Sequence, residues 1–346
     1  MSSQFEYIPK SVGVTVVTVT YGKRWDYLKS VLQAVAAEDA ISRIIVVDNG
    51  AEHDFVAEAR RLTGLKLVTV SLGHNRGSAI GFKAGLKLAL EFKDAEYIWL
   101  LDDDNRPEPG ALKELLRYFL PLERNQKKDS LLTLSLRIDR KQYRRVAQGE
   151  PIARWFPQSN SFLGFHIFWL PFWRIIDILK RTPERDNRPF LPFLEVPVAP
   201  WGGMFFHKSL IEKHGYPETD FFLYGDDTEF ALRFRHAGGK IFLIPSSQLT
   251  DLEESWHSRK RVAPVMFLKN YAEAPSFRIY YGVRNSTYLW NKYFRKNRFL
   301  FGINRYIFLM MLKFYLSWRG EKERYLLIKN AVADGDRGNL GERAGF

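Results

Sequence analysis

Short apolar runs and longer amphipathic ones alternate through the first third of the chain. Residues 12–21, VGVTVVTVTY, are β-branched enough to predict a strand, and residues 25–37 carry apolar positions at helical spacing. RIIVVDN predicts a second strand, LKLVTVSL a third and AEYIWLL a fourth. A helix with Gly77, Gly81 and Gly85 at i, i+4 and i+8 is predicted between the last two. Strands alternating with helices of this length imply an α/β fold with a mostly parallel sheet covered on both faces. In such sheets ligands sit beyond the carboxyl ends of the strands.

Those ends are polar and turn-prone: Thr20-Tyr21-Gly22, Asp48-Asn49-Gly50, His74-Asn75-Arg76-Gly77 and Asp102-Asp103-Asp104. Any one of them is explained by ordinary capping and turn chemistry, since Asp and Asn favour both. Their convergence on one edge is what points to a ligand. The triple aspartate is the costliest, because unit charges about 4 Å apart repel by roughly 1 kcal/mol in water and by more in a less polar cleft. A counter-charge is therefore expected, either a basic side chain, of which Arg106 is nearest in sequence, or a hard divalent cation shared with a nucleotide's phosphates. If the strand stays extended, Asp102 and Asp104 point the same way. Gly77 lies where a helix N-terminus can face an anion, while Gly81 and Gly85 read as close helix-on-sheet packing.

The pattern resumes after a long interruption with VPVAPWGGMFFHKSLIEKHGYPETDFFLYGDDTEFALRFRHAGG. Trp201-Gly202-Gly203 sets a flat aromatic beside backbone that can come close to a ligand; stacking on a sugar face and burial beside a tight turn are both open. Asp226 and Asp227 precede the apolar stripe Phe230, Ala231, Phe234 and so open a helix. Capping accounts for one of them, and the other suits a general base that takes a proton from an attacking hydroxyl.

In order along the chain, VTVTYGKR, VVDNG, LGHNRGSAIGFKAG and WLLDDDNRPEP resemble the motifs of family 2 glycosyltransferases of the GT-A fold, over roughly residues 12–260. The resemblance implies a nucleotide-diphosphate-sugar transferase fold, with Thr20, Tyr21 and Arg24 lining a nucleotide pocket and Asp48 bonding the base. It sets Asn75 and Gly77 near the diphosphate, Asp102 and Asp103 on donor, and Asp102 and Asp104 on Mn²⁺ or Mg²⁺. It lines the donor-sugar pocket with Trp201, Gly202 and Gly203. It implies Asp227 as the base of an inverting transfer, with Asp226 next. His257 is implied as a further metal ligand, and Arg284 and Asn285, in YYGVRNSTYLW, as diphosphate or acceptor contacts. Within the family the chain is similar to bacterial galactofuranosyltransferases somewhat more than to rhamnosyltransferases. UDP-galactofuranose is thus the expected donor and dTDP-rhamnose the alternative.

Composition narrows the setting. The 346 residues are 46% hydrophobic and 15% aromatic, which excludes disorder, and the absence of cysteine removes disulfides, thiolate nucleophiles and Cys-bound zinc. The formal net charge of +13 favours a polyanionic partner. The basic residues concentrate beside aliphatic runs, which favours anionic lipid over nucleic acid. SNSFLGFHIFWLPFWRIIDILKR is too short and broken to span a bilayer, whereas YLWNKYFRKNRFLFGINRYIFLMMLKFYLSWRG has the mixture of interfacial segments or of a helical subdomain. The opening MSSQFEYIPK lacks the build of a secretory signal. The expectation is therefore a cytoplasmic enzyme, peripheral on the inner face of the membrane, acting on a lipid-linked or polysaccharide acceptor of the cell envelope, and free to form a homo-oligomer. The expected layout is a catalytic domain over residues 1–265, with its nucleotide half at 1–128, an aromatic insertion at 139–189 and its acceptor half at 190–265. A basic helical region at 266–334 and a loose tail at 335–346 follow. The competing class is a non-catalytic protein that binds a nucleotide sugar or nucleic acid.

Overall fold

The computed structural model describes residues 12–169, 188–253 and 264–343. These form two compact units, described separately. The first comprises residues 12–150, 190–219 and 226–253, and the second residues 151–169, 188–189, 220–225 and 264–343. The aromatic insertion expected inside the catalytic domain is thereby divided. Its first residues stay with the first unit, and from Pro151 the described part joins the second.

The first unit is built on nine described strands: β1 (Val14–Gly22), β2 (Ile41–Ala51), β3 (Leu67–Ser71), β4 (Tyr97–Asp102), β5 (Asn105–Pro107), β6 (Leu131–Arg137), β7 (Leu194–Glu195), β8 (Met204–His207) and β9 (Lys240–Asp251). They lie in the order β3-β2-β1-β4-β8-β6-β9-β5, with β7 paired to β9. The helices of this unit are α1 (Trp25–Ala36), α2 (Val56–Thr63), α3 (Ser78–Glu91), α4 (Ala111–Asn125) and α5 (Lys141–Ala147). In the second unit comes α6 (Ile152–Trp155), and back in the first α7 (Ser209–His214) and α8 (Asp226–His236). The second unit then holds α9 (Pro264–Glu273), α10 (Ser276–Leu289), α11 (Arg298–Trp318) and α12 (Lys322–Arg337).

β1, β2, β3 and β4 are parallel, as their apolar runs predict, and β1 is buried from Val14 through Thr20 because both its faces are covered. Gly81 and Gly85 explain how closely α3 lies on the sheet. A Cβ at Gly81 would stand 2.5 Å from Val19 Cγ1, and one at Gly85 would stand 2.4 Å from Val17 Cγ1. The sheet is mixed beyond β4, because β8 pairs antiparallel with both β4 and β6. This inversion matters for the site. An antiparallel strand starts at the edge where its parallel neighbours end, so the residues just before β8, Trp201-Gly202-Gly203, arrive beside the carboxyl end of β4. The core of this unit runs from Val14, Val31 and Ile44 through Trp99, Leu115 and Phe119 to Phe205 and Leu249.

The second unit is helical. Phe162 and Phe165, Tyr280 and Tyr281, Phe301, Phe308, Leu312, Leu316 and Ile328 form its core.

Candidate active site

Strand register brings the predicted strand ends into one row. Thr20 pairs across from Asp48, Asp48 from Ser71, and Val19 from Asp102. The loops behind them are pressed together, for a Cβ at Gly50 would meet Asn75 N at 2.7 Å. Asn49 donates to Asn75 Oδ1 (3.2 Å) and to the Gly77 carbonyl (3.2 Å), and its own Oδ1 accepts from Arg76 N (2.8 Å). Asp48 is bound by its own turn, accepting from Gly50 N (3.0 Å), Ala51 N (2.8 Å) and Ser71 Oγ (2.9 Å).

The three aspartates do not continue the strand. β4 ends at Asp102, and Asp103-Asp104 make a turn into β5, so the expected alternation of side chains is replaced by three different environments. The counter-charges are arginines distant in sequence, and Arg106 instead pairs with Glu108. Arg24 Nε lies 2.9 and 3.0 Å from the two oxygens of Asp103, its second nitrogen lies 3.2 Å from Asp104 and its third 2.5 Å from Glu253. Its guanidinium also lies over the half-exposed Tyr21 ring, 5.1 Å from the centroid. Buried Arg137 spans from Asp102 Oδ2 (3.0 Å) to Asp251 Oδ1 (2.6 Å), and Arg140 takes the other Asp251 oxygen (3.1 Å). Burial pushes the Asp103 carboxyl up to about 7, Arg24 and the Thr20 hydroxyl opposing it. Burial and then the Asp102 charge push Asp104 up to about 6. The donor set therefore consists of hard oxygens, with two carboxylates close enough to repel each other. Asn105 Oδ1, buried beside them, has no hydrogen-bond partner. Among the described residues no three His, Asp or Glu side chains gather around a common point, and His257 lies outside those residues. Asp102 and Asp104 are hard carboxylate donors of the kind a divalent cation takes together with phosphate and water, and each is paired here with an arginine.

Gly202 joins this loop to the second motif. A Cβ there would fall 1.7 Å from Asn105 Oδ1 and 2.8 Å from Asp102 Oδ2, so only glycine lets the backbone pass. Gly203, at φ 104°, donates to the Leu100 carbonyl at 2.8 Å. The Trp201 ring is not a stacking platform. It is 4% exposed and packs between Phe82 and Phe230, and its Nε1 donates to Asp226 Oδ2 at 2.7 Å. Ser78 Oγ donates to the same oxygen at 2.6 Å. Asp226 is thereby fixed from α3 and from the β8 entry, and burial raises its pKa.

Asp227 is the more accessible of the pair. Its Oδ1 accepts from Thr228 N (2.6 Å) and Thr228 Oγ1 (3.1 Å). Burial, then the Asp226 charge, push its carboxyl up to about 7, and the Asp102 charge adds to the rise. A group poised there accepts a proton near neutrality. Arg284 and Asn285 spend their bonds inside the second unit. Asn285 Nδ2 donates to the Leu223 and Tyr224 carbonyls (2.9 and 2.7 Å), and Arg284 donates to Asn285 Oδ1 (2.9 Å) and the Gly341 carbonyl (2.7 Å). Sequence reasoning missed Arg137, Arg140, Asp251 and Glu253. All four stand at or just beyond the ends of β6 and β9, so the strand-end rule applied to the chain's second half would have found them.

Residues 15–134, which hold the first three strand-end motifs and the triple aspartate, match the sequence profile of the family described as Glycosyl transferase family 2. The chain carries a glycosyl transferase family 2 domain. Over 229 residues, 65% of the chain, it is 28% identical to Galactofuranosyltransferase GlfT1 of Mycolicibacterium smegmatis, covering 66% of that protein. The chain spans slightly under two thirds of this relative's length. A crystal structure of GalNAc-T7 with UDP, GalNAc and Mn²⁺ superposes with a TM-score of 0.53 over 97% of this chain and 56% of that one, at 11% identity. The family 2 domain therefore has the GT-A fold, with the helices of the second unit added to it.

Proposed function

We propose that the chain is an inverting, metal-dependent glycosyltransferase that moves galactofuranose from UDP-galactofuranose to a lipid-linked or polysaccharide acceptor. The observation that carries the reading is geometric: Gly202 lies against Asp102 and Asn105, and its neighbour Trp201 donates to Asp226 Oδ2 at 2.7 Å. The acid loop after β4 and the acids that open α8 are thereby tied together through the entry to β8, within the first unit. In the reaction, Asp227 takes the acceptor hydroxyl proton as that oxygen bonds to the anomeric carbon. The bond from that carbon to the diphosphate oxygen breaks, and its electron pair leaves with the nucleoside diphosphate. Asp102 and Asp104 would hold a divalent cation, which neutralises the charge gathering on the leaving group. Asp226, held by Ser78 and Trp201, keeps the start of α8 in place and keeps its neighbour's carboxyl basic.

The choice of sugar is supported by the likeness to a galactofuranosyltransferase, and the alternative donor is dTDP-rhamnose. The test is a donor-hydrolysis screen with manganese across UDP- and dTDP-sugars, with EDTA as control. Release of UDP from UDP-galactofuranose alone supports the assignment, release from dTDP-rhamnose transfers it to the alternative, and silence with every donor overturns both. A protein that only binds the nucleotide would retain UDP affinity in that silent case.

A further inference from the structure

The second unit carries a feature that donor chemistry does not use. α11 has two apolar faces. Phe301, Asn304, Phe308, Leu312 and Leu316 are buried in the unit's core. The rotation of the helix about its axis is fixed by Asn304, which donates to the Asn160 carbonyl (2.9 Å) and accepts from Ile167 N (2.9 Å). The opposite face is consequently held outward, and it is aromatic: Phe299 is 78% exposed, Tyr306 66%, Phe314 79% and Trp318 79%, with Met310 among them. At 100° per residue these positions fall on one side of the helix.

At the N-terminal end of the same helix is a cavity of about 390 Å³ lined by Asn291, Arg295, Arg298, Phe301, Gly302, Arg305 and Asp336. Arg305 is neutralised by Asp336 (2.8 and 2.5 Å), which also accepts from Asn291 (2.8 Å). Arg295 and Arg298 have no ion-pair partner among the described residues, so the cavity keeps an uncompensated positive charge. A Cβ at Gly302 would meet nothing within 4 Å, so the cavity is open on that side.

We propose that this surface seats on an anionic lipid bilayer, with the Arg295–Arg298 cavity receiving a lipid phosphate headgroup and the Phe299, Tyr306, Met310, Phe314 and Trp318 face lying among the acyl chains. α11 is long and apolar enough to cross a bilayer by length and composition. Its opposite face is committed to the core, so it lies along the membrane rather than through it. Exposed apolar groups and unpaired cations on and beside one helix match the two components of such binding. The inference goes beyond the transfer reaction and stands whichever sugar is moved.

The experiment is vesicle flotation of the full chain on phosphatidylcholine with and without phosphatidylglycerol. The wild type is expected to float with the anionic vesicles and to be released by salt. Arg295→Ala with Arg298→Ala is expected to weaken binding roughly thirtyfold, about fivefold for each cation. Phe314→Ser with Trp318→Ser, at positions too exposed to threaten folding, is expected to reduce flotation while donor hydrolysis in solution stays unchanged. No flotation, equal flotation on neutral vesicles, or arginine variants that bind like the wild type would each overturn the proposal. So would a dimer in light scattering that the Phe314 and Trp318 changes dissociate without altering flotation, for the face would then belong to a second copy. Failure of the donor screen leaves the flotation result untouched, which keeps the two readings separable.

Discussion

Two adjacent carboxylates at the start of α8 have different duties because their partners differ. Asp226 accepts from Ser78 and Trp201 and is buried, whereas Asp227 bonds only to Thr228 among the hydrogen bonds described and is less buried. Replacing Asp227 with Asn is expected to lower kcat by about 10²- to 10⁴-fold, the usual worth of a positioned base, with UDP affinity by calorimetry unchanged. Because its carboxyl is pushed up to about 7, the group is protonated and inactive below that pH and ionised above it. The kcat/KM profile should therefore rise with pH to a plateau above about 7. Asp226→Asn removes the like charge that ranks after burial among the causes of the shift, and its profile should rise at a lower pH. A profile unmoved by Asp226→Asn would assign the midpoint to another group.

At the level of elements, close approach is the recurrent device. α3 lies on β1 through Gly81 and Gly85, and the β8 entry passes the acid loop through Gly202. Gly85→Ala drives a methyl into Val17 and is expected to cost about 1–3 kcal/mol, the usual range for overpacking, read as a fall in the denaturation midpoint. Gly202→Ala is expected to cost at least as much stability and to abolish turnover, because the atom it displaces belongs to buried Asn105 beside Asp102. The first four strands were legible in the sequence because a strand covered on both faces must be apolar without interruption, as β1 and β4 are. The start of α8 was legible for a related reason, since its acids and its apolar stripe are neighbours in the chain. The counter-charges were not, because Arg24 and Asp103 are 79 residues apart and Arg137 and Asp251 are 114 apart. The sequence left the Trp201 ring open between stacking and burial because its covering residues, Phe82 and Phe230, come from elements that only the fold brings together.

Across the whole molecule, the charge network matters as a tie between remote segments. Arg137 links the end of β4 to the end of β9 while sitting on β6. Arg137→Met would leave Asp251 buried with one remaining guanidinium, and the loss is expected to be about 3–5 kcal/mol, the range for a buried charge stripped of its partner. Chemical denaturation followed by circular dichroism would measure it, and a change under about 1 kcal/mol would show that Arg140 alone suffices. The order of the strands along the chain has a further consequence for synthesis. When the first 150 residues have left the ribosome, β1 to β4 can already pair. β6 must wait for β8 and β9, and the open edge of β4 must wait for β8. The residues that close these edges, 204–251, follow the helix α6 and the aromatic segment of the other unit. A nascent chain of this protein thus displays bare strand edges for the time needed to add about a hundred residues, a template for mispairing. Expression slowed at low temperature or supplied with chaperone should raise its soluble yield more than any change to the finished surface.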